Sequence, residues 1–292
     1  MKDRRTLLLG LCAATLLASC RFSSPLPEPA PAALQVRVLQ HEAQSASGEW
    51  TYFGKALKLA LDKTDGGYEF VIIDRPGEQD QSLRSVGEDR TLDVTWTMTS
   101  SSREAKYRPV RIPLLRGLLG YRVLLIREGD PRFDEVMTAA DLRALTAGQG
   151  VGWPDVPILT AAGLPVATGA DFEGLFDLLE QGAVDYFPRG VTEAWDELGD
   201  HPDLKVEDHL LLRYRAAIYF FVHPEADDLA VRIERGLRAA MADGSLDVLF
   251  EEHYGEVIRR SLLPYRTIIE LDNPGFPAET PLDEALWFDP AK

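Results

Sequence analysis

Cysteine is nearly absent from this chain. Cys12 and Cys20 are the two it has, and residues 21–292 contain no thiol. A disulfide framework is therefore excluded from the body, which has to be held by its hydrophobic core. Histidine is equally thin: His41, His201, His209, His223 and His253 are scattered without metal-ligand spacing, so no metal and no other cofactor is expected. Basic residues are scarce, 31 against 47 acidic ones. Without residues 1–19 the balance is 28 against 46, a net charge of −18. Such a body is repelled by nucleic acid and by anionic lipid surfaces. After Ser19 no apolar run approaches a membrane span, and "AAIYFFV" (216–222) reads as a buried strand. A phosphate-binding glycine loop and a nucleophile elbow are also missing. Ser100–Ser102 reads as a loop or helix cap, and Glu251–Glu252 as an exposed helix face.

What is present begins with a leader. Lys2, Arg4 and Arg5 precede an apolar run, Thr6 to Ser19, with six leucines. That length suits a signal-peptide core and is short for a membrane span. The run ends in Leu17-Ala18-Ser19-Cys20, which resembles a bacterial lipobox, in which the cysteine is lipidated and becomes the new N-terminus. Ser23 to Ala33 is Pro-rich and reads as an extended spacer. The expected organisation is a signal peptide at 1–19, a lipidated Cys20 with its linker at 20–33, and a body long enough for two lobes. The body would sit outside the cytoplasm, in a periplasm or at a cell surface, anchored through Cys20.

Hydrophobic periodicity places strands at 34–40, 68–73 and 93–98. Helices fall at 51–63, where Phe53, Leu57 and Leu61 recur every four residues, and at about 80–88. This β-α-β-α-β order predicts an α/β fold, with a mostly parallel sheet flanked by helices. Ligands of such sheets bind at the carboxyl ends of the strands, here the loops 41–50 and 99–103. Two long apolar segments, 112–126 and 209–224, read as strands that cross between lobes. The second lobe would hold a helix at 138–146, a helix starting at Pro154-Asp155, a helix after the capping Asp171, a strand "AVDYF" (183–187) and a helix at about 192–198. Leu229, Ile233, Leu237 and Met241 mark a strong helix, "SLDVLFEEHY" a shorter one, and "LDNPGFPAETPL" a tail that wraps the first lobe.

The ordered set "DVTWTMTSSSRE", "TAADLRAL", "LFDLLEQGAVDYF" and "YFFVHPEADDLAVRIERGLRAAMADGSLDVLFEEHYG" resembles the bacterial extracellular solute-binding proteins family 3, a branch of the type II periplasmic binding proteins. The resemblance covers roughly residues 34–255. It implies two lobes, 34–117 with 217–292 and 118–216, joined by two crossing strands. They would close on a small polar solute, of amino-acid or organic-acid class, in the cleft between them. It also implies an ABC-type permease as partner and a monomer.

Members of the family that bind amino acids often show Thr-x-Thr-x-x-Arg, whose arginine grips the ligand carboxylate. Here Thr97 and Thr99 are followed by Arg103, one residue late. Arg103 is the ligand-binding candidate, with a pair to a neighbouring acid such as Glu104 as its alternative. Where the family often places an ammonium-binding aspartate, this chain has about Gly190, with Arg189 beside it between Pro188 and Gly190. A cation there disfavours a bare ammonium and points to an anionic ligand if Arg189 faces the cleft. If it pairs with Glu193 or Glu197 it is structural. Trp50, Tyr52 and Trp153 at strand–helix junctions, and Thr168 with Gly169, complete the candidate binding residues; no residue is assigned a catalytic role, and Asp185 reads as structural.

The leading expectation is a non-enzymatic, lipid-anchored solute-binding protein for amino-acid-type transport. Two others stay open. One is a dehydratase-like periplasmic enzyme on the same fold, which requires a cleft carboxylate of raised pKa. The other is a sensor or partner-binding lipoprotein that does not transport.

Overall fold

Strand β1 (Leu34–Leu39) buries Val36, Val38 and Leu39 and pairs in parallel with β2 (Tyr68–Ile73). These coordinates are a computed structural model that describes residues 33–289 apart from 46 and 76–78. The leader, Cys20 and the linker as far as residue 32 lie outside the described residues. Among the described residues no helix is long and apolar enough to cross a membrane.

Between β1 and β2 run a single turn, α1 (Gln40–Ala43), and α2 (Tyr52–Asp62). Helix α2 starts where Thr51 can cap it: its Oγ1 accepts from Gly54 N at 3.2 Å and donates to Glu42 O at 2.8 Å. Then follow α3 (Gln79–Gly87), β3 (Val94–Met98), the short α4 (Ser101–Glu104) and β4 (Arg108–Val110). β3 lies beside β1 through the Asp93 amide, which donates to Arg37 O at 2.9 Å. The Asp93 carboxylate takes the Arg37 amide in return at 2.7 Å.

The chain then passes to a second group of strands. β5 (Tyr121–Arg127) pairs antiparallel with β8 (Phe187–Gly190), β9 (Leu204–Val206) and β10 (Leu210–Arg213). β6 (Ala147–Gly150) pairs in parallel with β7 (Val166–Gly169) and reaches β8 through Gly148 N to Tyr186 O, 2.7 Å. The helices of this second lobe are α5 (Asp155–Ala161), α6 (Phe172–Glu180) and α7 (Ala194–Glu197). Asp171 caps α6 as expected, accepting from Gly174 N at 2.7 Å.

The return passage leads to β11 (Ile218–Val222), which lies between β3 and β4 and is antiparallel to both. So the run 209–224 is two strands of different sheets. α8 (Asp227–Ala242) and α9 (Ser245–Ser261) pack on α2. Gly236 lets α8 approach closely: an added Cβ would lie 1.8 Å from the Ala60 carbonyl oxygen.

Several elements depart from the sequence expectations. The sheets are mixed, because β11 and β5 each run antiparallel to their neighbours. The helix expected at 138–146 is one 3-10 turn, Asp141–Ala144. The strand expected at 183–187 is displaced to β8, so Pro188 and Gly190 sit in a strand. After α9 the chain passes once more to the second lobe, where β12 (Thr267–Glu270) pairs in parallel with β10. Only then does the tail run to the first lobe: Ser101 N donates to Gly275 O at 2.9 Å and Phe288 N to Arg116 O at 2.7 Å.

Candidate functional site

The carboxyl ends of β1 and β3 face α5, α6 and β8 across a cavity of about 350 Å³. From the first lobe it is walled by Glu42 of α1, Phe53 of α2 and Trp96–Met98 of β3; from the second by Arg122, Trp153–Asp155, Phe172, Arg189 and Glu193. Phe53 stacks on Trp96 with ring centres 5.8 Å apart, and Trp153 on Phe187 at 6.2 Å. Each wall therefore presents an aromatic face.

The charged side chains of the second wall form one continuous network. Arg189, 8% exposed, meets Glu197 in a two-point pair, Nε to Oε2 at 2.6 Å and Nη2 to Oε1 at 2.5 Å. Its Nη2 is also 3.2 Å from Glu193 Oε2. The guanidinium lies over the rings of Trp153 and Phe187 at 5.1 Å and of Phe172 at 5.4 Å. Arg122 bonds Asp155 at 2.9 Å and reaches Glu193 at 3.5 Å. Its Nε donates to the Tyr214 hydroxyl at 2.8 Å, which in turn donates to Asp155.

Burial opposes charge on both arginines, but their acidic neighbours outweigh it and raise both pKa values. For Glu193, burial would raise the pKa; Arg189, Arg122 and the Gly190 amide prevail and hold it below the usual range. Glu42 is the contrast. Burial raises its pKa, against its polar neighbours, Ser82 and Thr95, that lower it; the Thr95 hydroxyl donates to it at 2.9 Å. No arginine or lysine lies within ion-pair distance of it among the described residues.

The sequence-derived candidates divide. Arg189, Thr97 and Trp153 line the cavity. Arg189 both faces it and is paired with Glu193 and Glu197, so the two readings of this residue hold together. Arg103 is buried beside β3: Nη1 donates to Thr97 Oγ1 at 2.9 Å and Met98 O at 2.7 Å, and Nη2 to Asp80 at 2.9 Å. Among the described residues Asp80 is an acid that holds it, while Glu104 is taken by Thr99 Oγ1 at 2.6 Å and Arg111 at 2.6 Å. Arg103 and Thr99 line a second cavity, of about 500 Å³, which shares Met98, Trp153 and Pro154 with the first.

Four candidates sit elsewhere. Trp50 packs on Phe70 at 4.8 Å over an outer hollow near Lys58. Tyr52 is buried among Phe53, Phe250 and Tyr254 and donates to Leu114 O at 2.7 Å. The first turn of α2 points Phe53, rather than either of these, at the cavity. Thr168 is exposed, and Gly169 at the end of β7 makes room for Leu175 of α6, 2.8 Å from an added Cβ. Asp185 is structural, bonding Arg132 and the Thr146 amide.

Glu42, Trp96, Arg122 and Phe172 were not singled out from the sequence. Arg122 carried a signal: a lone charge inside "GYRVLLI" has to be paired where the strand is buried. Among the described residues no cluster of three metal-ligating side chains occurs.

No protein-family model matches the sequence, and no curated protein matches it. Solved structures do. A mutant of ArgBP from T. maritima matches with a TM-score of 0.56 at 20% identity, over 76% of this chain and 95% of that one. An ancestral arginine-binding protein bound to arginine matches at 0.58 and 17%, over 76% and 98%. The probable amino-acid ABC transporter extracellular-binding protein ytmK from Bacillus subtilis matches at 0.58 and 18%, over 77% and 99%. The chain thus has the two-lobed α/β fold of the type II periplasmic binding proteins.

Proposed function

We propose that this protein is an extracytoplasmic solute-binding protein. Cys20 anchors it through lipid, and it captures a small polar solute between the lobe that carries β1–β4 and β11 and the lobe that carries β5–β10, to which β12 returns. The observation that carries this reading is the cavity of about 350 Å³, walled by aromatic and charged side chains of both lobes. Its size lies within the roughly 300–1,000 Å³ of small-molecule sites. A ligand touching both walls stabilises the closed form by its differential affinity. An ABC permease is the proposed partner of a monomeric protein.

The network supports a narrower proposal for the ligand's chemistry. The anionic reading required Arg189 to face the cleft; it does, but its guanidinium is already paired with Glu197 and Glu193. Glu42, Asp155, Glu193 and Glu197 outnumber Arg122 and Arg189. The proposed solute is therefore an amino-acid-class molecule with a cationic or hydrogen-donating head that settles against an aromatic wall. The arginine complex among the similar structures holds a ligand of this kind.

The test is thermal unfolding of residues 21–292 with amino acids, organic acids and sugars. A true ligand at 100 times its Kd adds about 2.7 kcal/mol, and basic or neutral amino acids are expected to do so. A panel without effect, or one in which dicarboxylates alone stabilise, overturns the reading.

A further inference from the structure

The two cavities that meet at Trp153 differ in charge. The first holds three carboxylates, Glu42, Asp155 and Glu193, against two guanidiniums that are already paired. The second reverses the balance: Arg84, Arg103 and Lys106 against Asp80 and Glu88. Arg103 is bound to Asp80, but Arg84 and Lys106 stand exposed at the rim with no carboxylate within ion-pair distance among the described residues.

Trp153 is the divider. Its indole lies flat on Gly150, where a Cβ would come within 2.3 Å of the ring, and it borders both spaces. The second cavity, about 500 Å³, is the larger. It is walled by α3 and α4 of the first lobe, by the loop before α5 of the second, and by Asn273 and Gly275 of the tail. A free amino acid filling the first cavity leaves the second and its two open cations unused.

We propose that the solute is an elongated zwitterion of the short-peptide class. Its ammonium end lies among Glu42, Asp155 and Glu193, its backbone crosses the Trp153 face, and its carboxylate reaches Arg84 and Lys106. This deepens the cleft reading and rests on it. An extended chain advances about 3.3–3.6 Å per residue, so a dipeptide or tripeptide spans about 7–11 Å, and the two cavities adjoin at Met98, Trp153 and Pro154.

The experiment compares the twenty free amino acids with their X-Ala and X-Ala-Ala extensions by calorimetric titration of residues 21–292. The best peptide is expected to bind about tenfold or more tighter than its parent amino acid. N-acetylation and C-terminal amidation should each remove about tenfold. The double variant Arg84→Ala/Lys106→Ala should bring the peptide down to the affinity of the amino acid. If amino acids bind and their extensions are no tighter, or if the double variant leaves peptide affinity intact, the two-cavity solute is wrong while the cleft reading stands. If no amino acid and no peptide binds, both fall.

Discussion

Arg122 offers the sharpest test of the network that closes the cleft. Its side chain is 4% exposed and that of Asp155 7%, with 2.9 Å between them. Replacing Arg122 by Met keeps most of the side-chain volume but leaves Asp155 buried without its cation and withdraws one partner of Glu193. Breaking a buried pair from one side costs about 3–5 kcal/mol. In a body of this size about 2–4 °C of Tm accompanies each kcal/mol, so Tm should fall by roughly 6–20 °C. Circular dichroism of heat and urea unfolding would read it. The control is Arg122→Met/Asp155→Asn. It removes both charges yet keeps an oxygen acceptor for the Tyr214 hydroxyl, and should recover at least half of the loss as a measured coupling. A single variant that loses under about 1 kcal/mol, or a double variant no more stable than the single, would show that the pair does not behave as a buried ion pair.

Glu42 and Arg189 give two further expectations. The folded state holds the Glu42 pKa above its unfolded value, about 4.3, so its ionisation destabilises the fold as pH rises through that window. Glu42→Gln should therefore gain stability relative to the parent between pH 4 and 7, and a Tm difference that does not change with pH refutes the assignment. Arg189→Ala removes one positive charge and releases Glu193 and Glu197 toward the cavity. The ratio of affinities for a basic over an acidic ligand should rise by about tenfold, some 1.4 kcal/mol; an unchanged ratio in calorimetry would make Arg189 a bystander to recognition.

Elements with a clean period and a local cap were legible in the sequence. β1, β2 and β3 carry alternating or continuous apolar runs, α2 repeats at Phe53, Leu57 and Leu61, and Asp171 announces α6. What failed was information the local chain does not hold. The run 209–224 looks uniform, yet Tyr214 to Ala217 carries it from one sheet to another. Pro188 and Gly190 read as turn residues, but pairing with β5 draws them into a strand. β4, β9 and β12 are only three or four residues long and exist through their partners. Of the loops named at the carboxyl ends of β1 and β3, the first borders the cavity of about 350 Å³ through His41 and Glu42, and the second borders the other cavity through Thr99 and Arg103. Which aromatic turns inward was not legible, because a strand–helix junction leaves the rotation of the first helical turn open. Arg103 was found as a residue, but the acid that holds it, Asp80, comes from α3 and could not be read from the neighbouring sequence.

The place of β11 in the first lobe has a consequence during synthesis. Met98 of β3 finds its partner in Ile218, and Arg108 of β4 in Val222. A ribosome that has made both outer strands has not yet made the one between them, and must first translate β5 to β10. Pairing of such high sequence separation is slow, so the nascent first lobe stays open until β11 has been made.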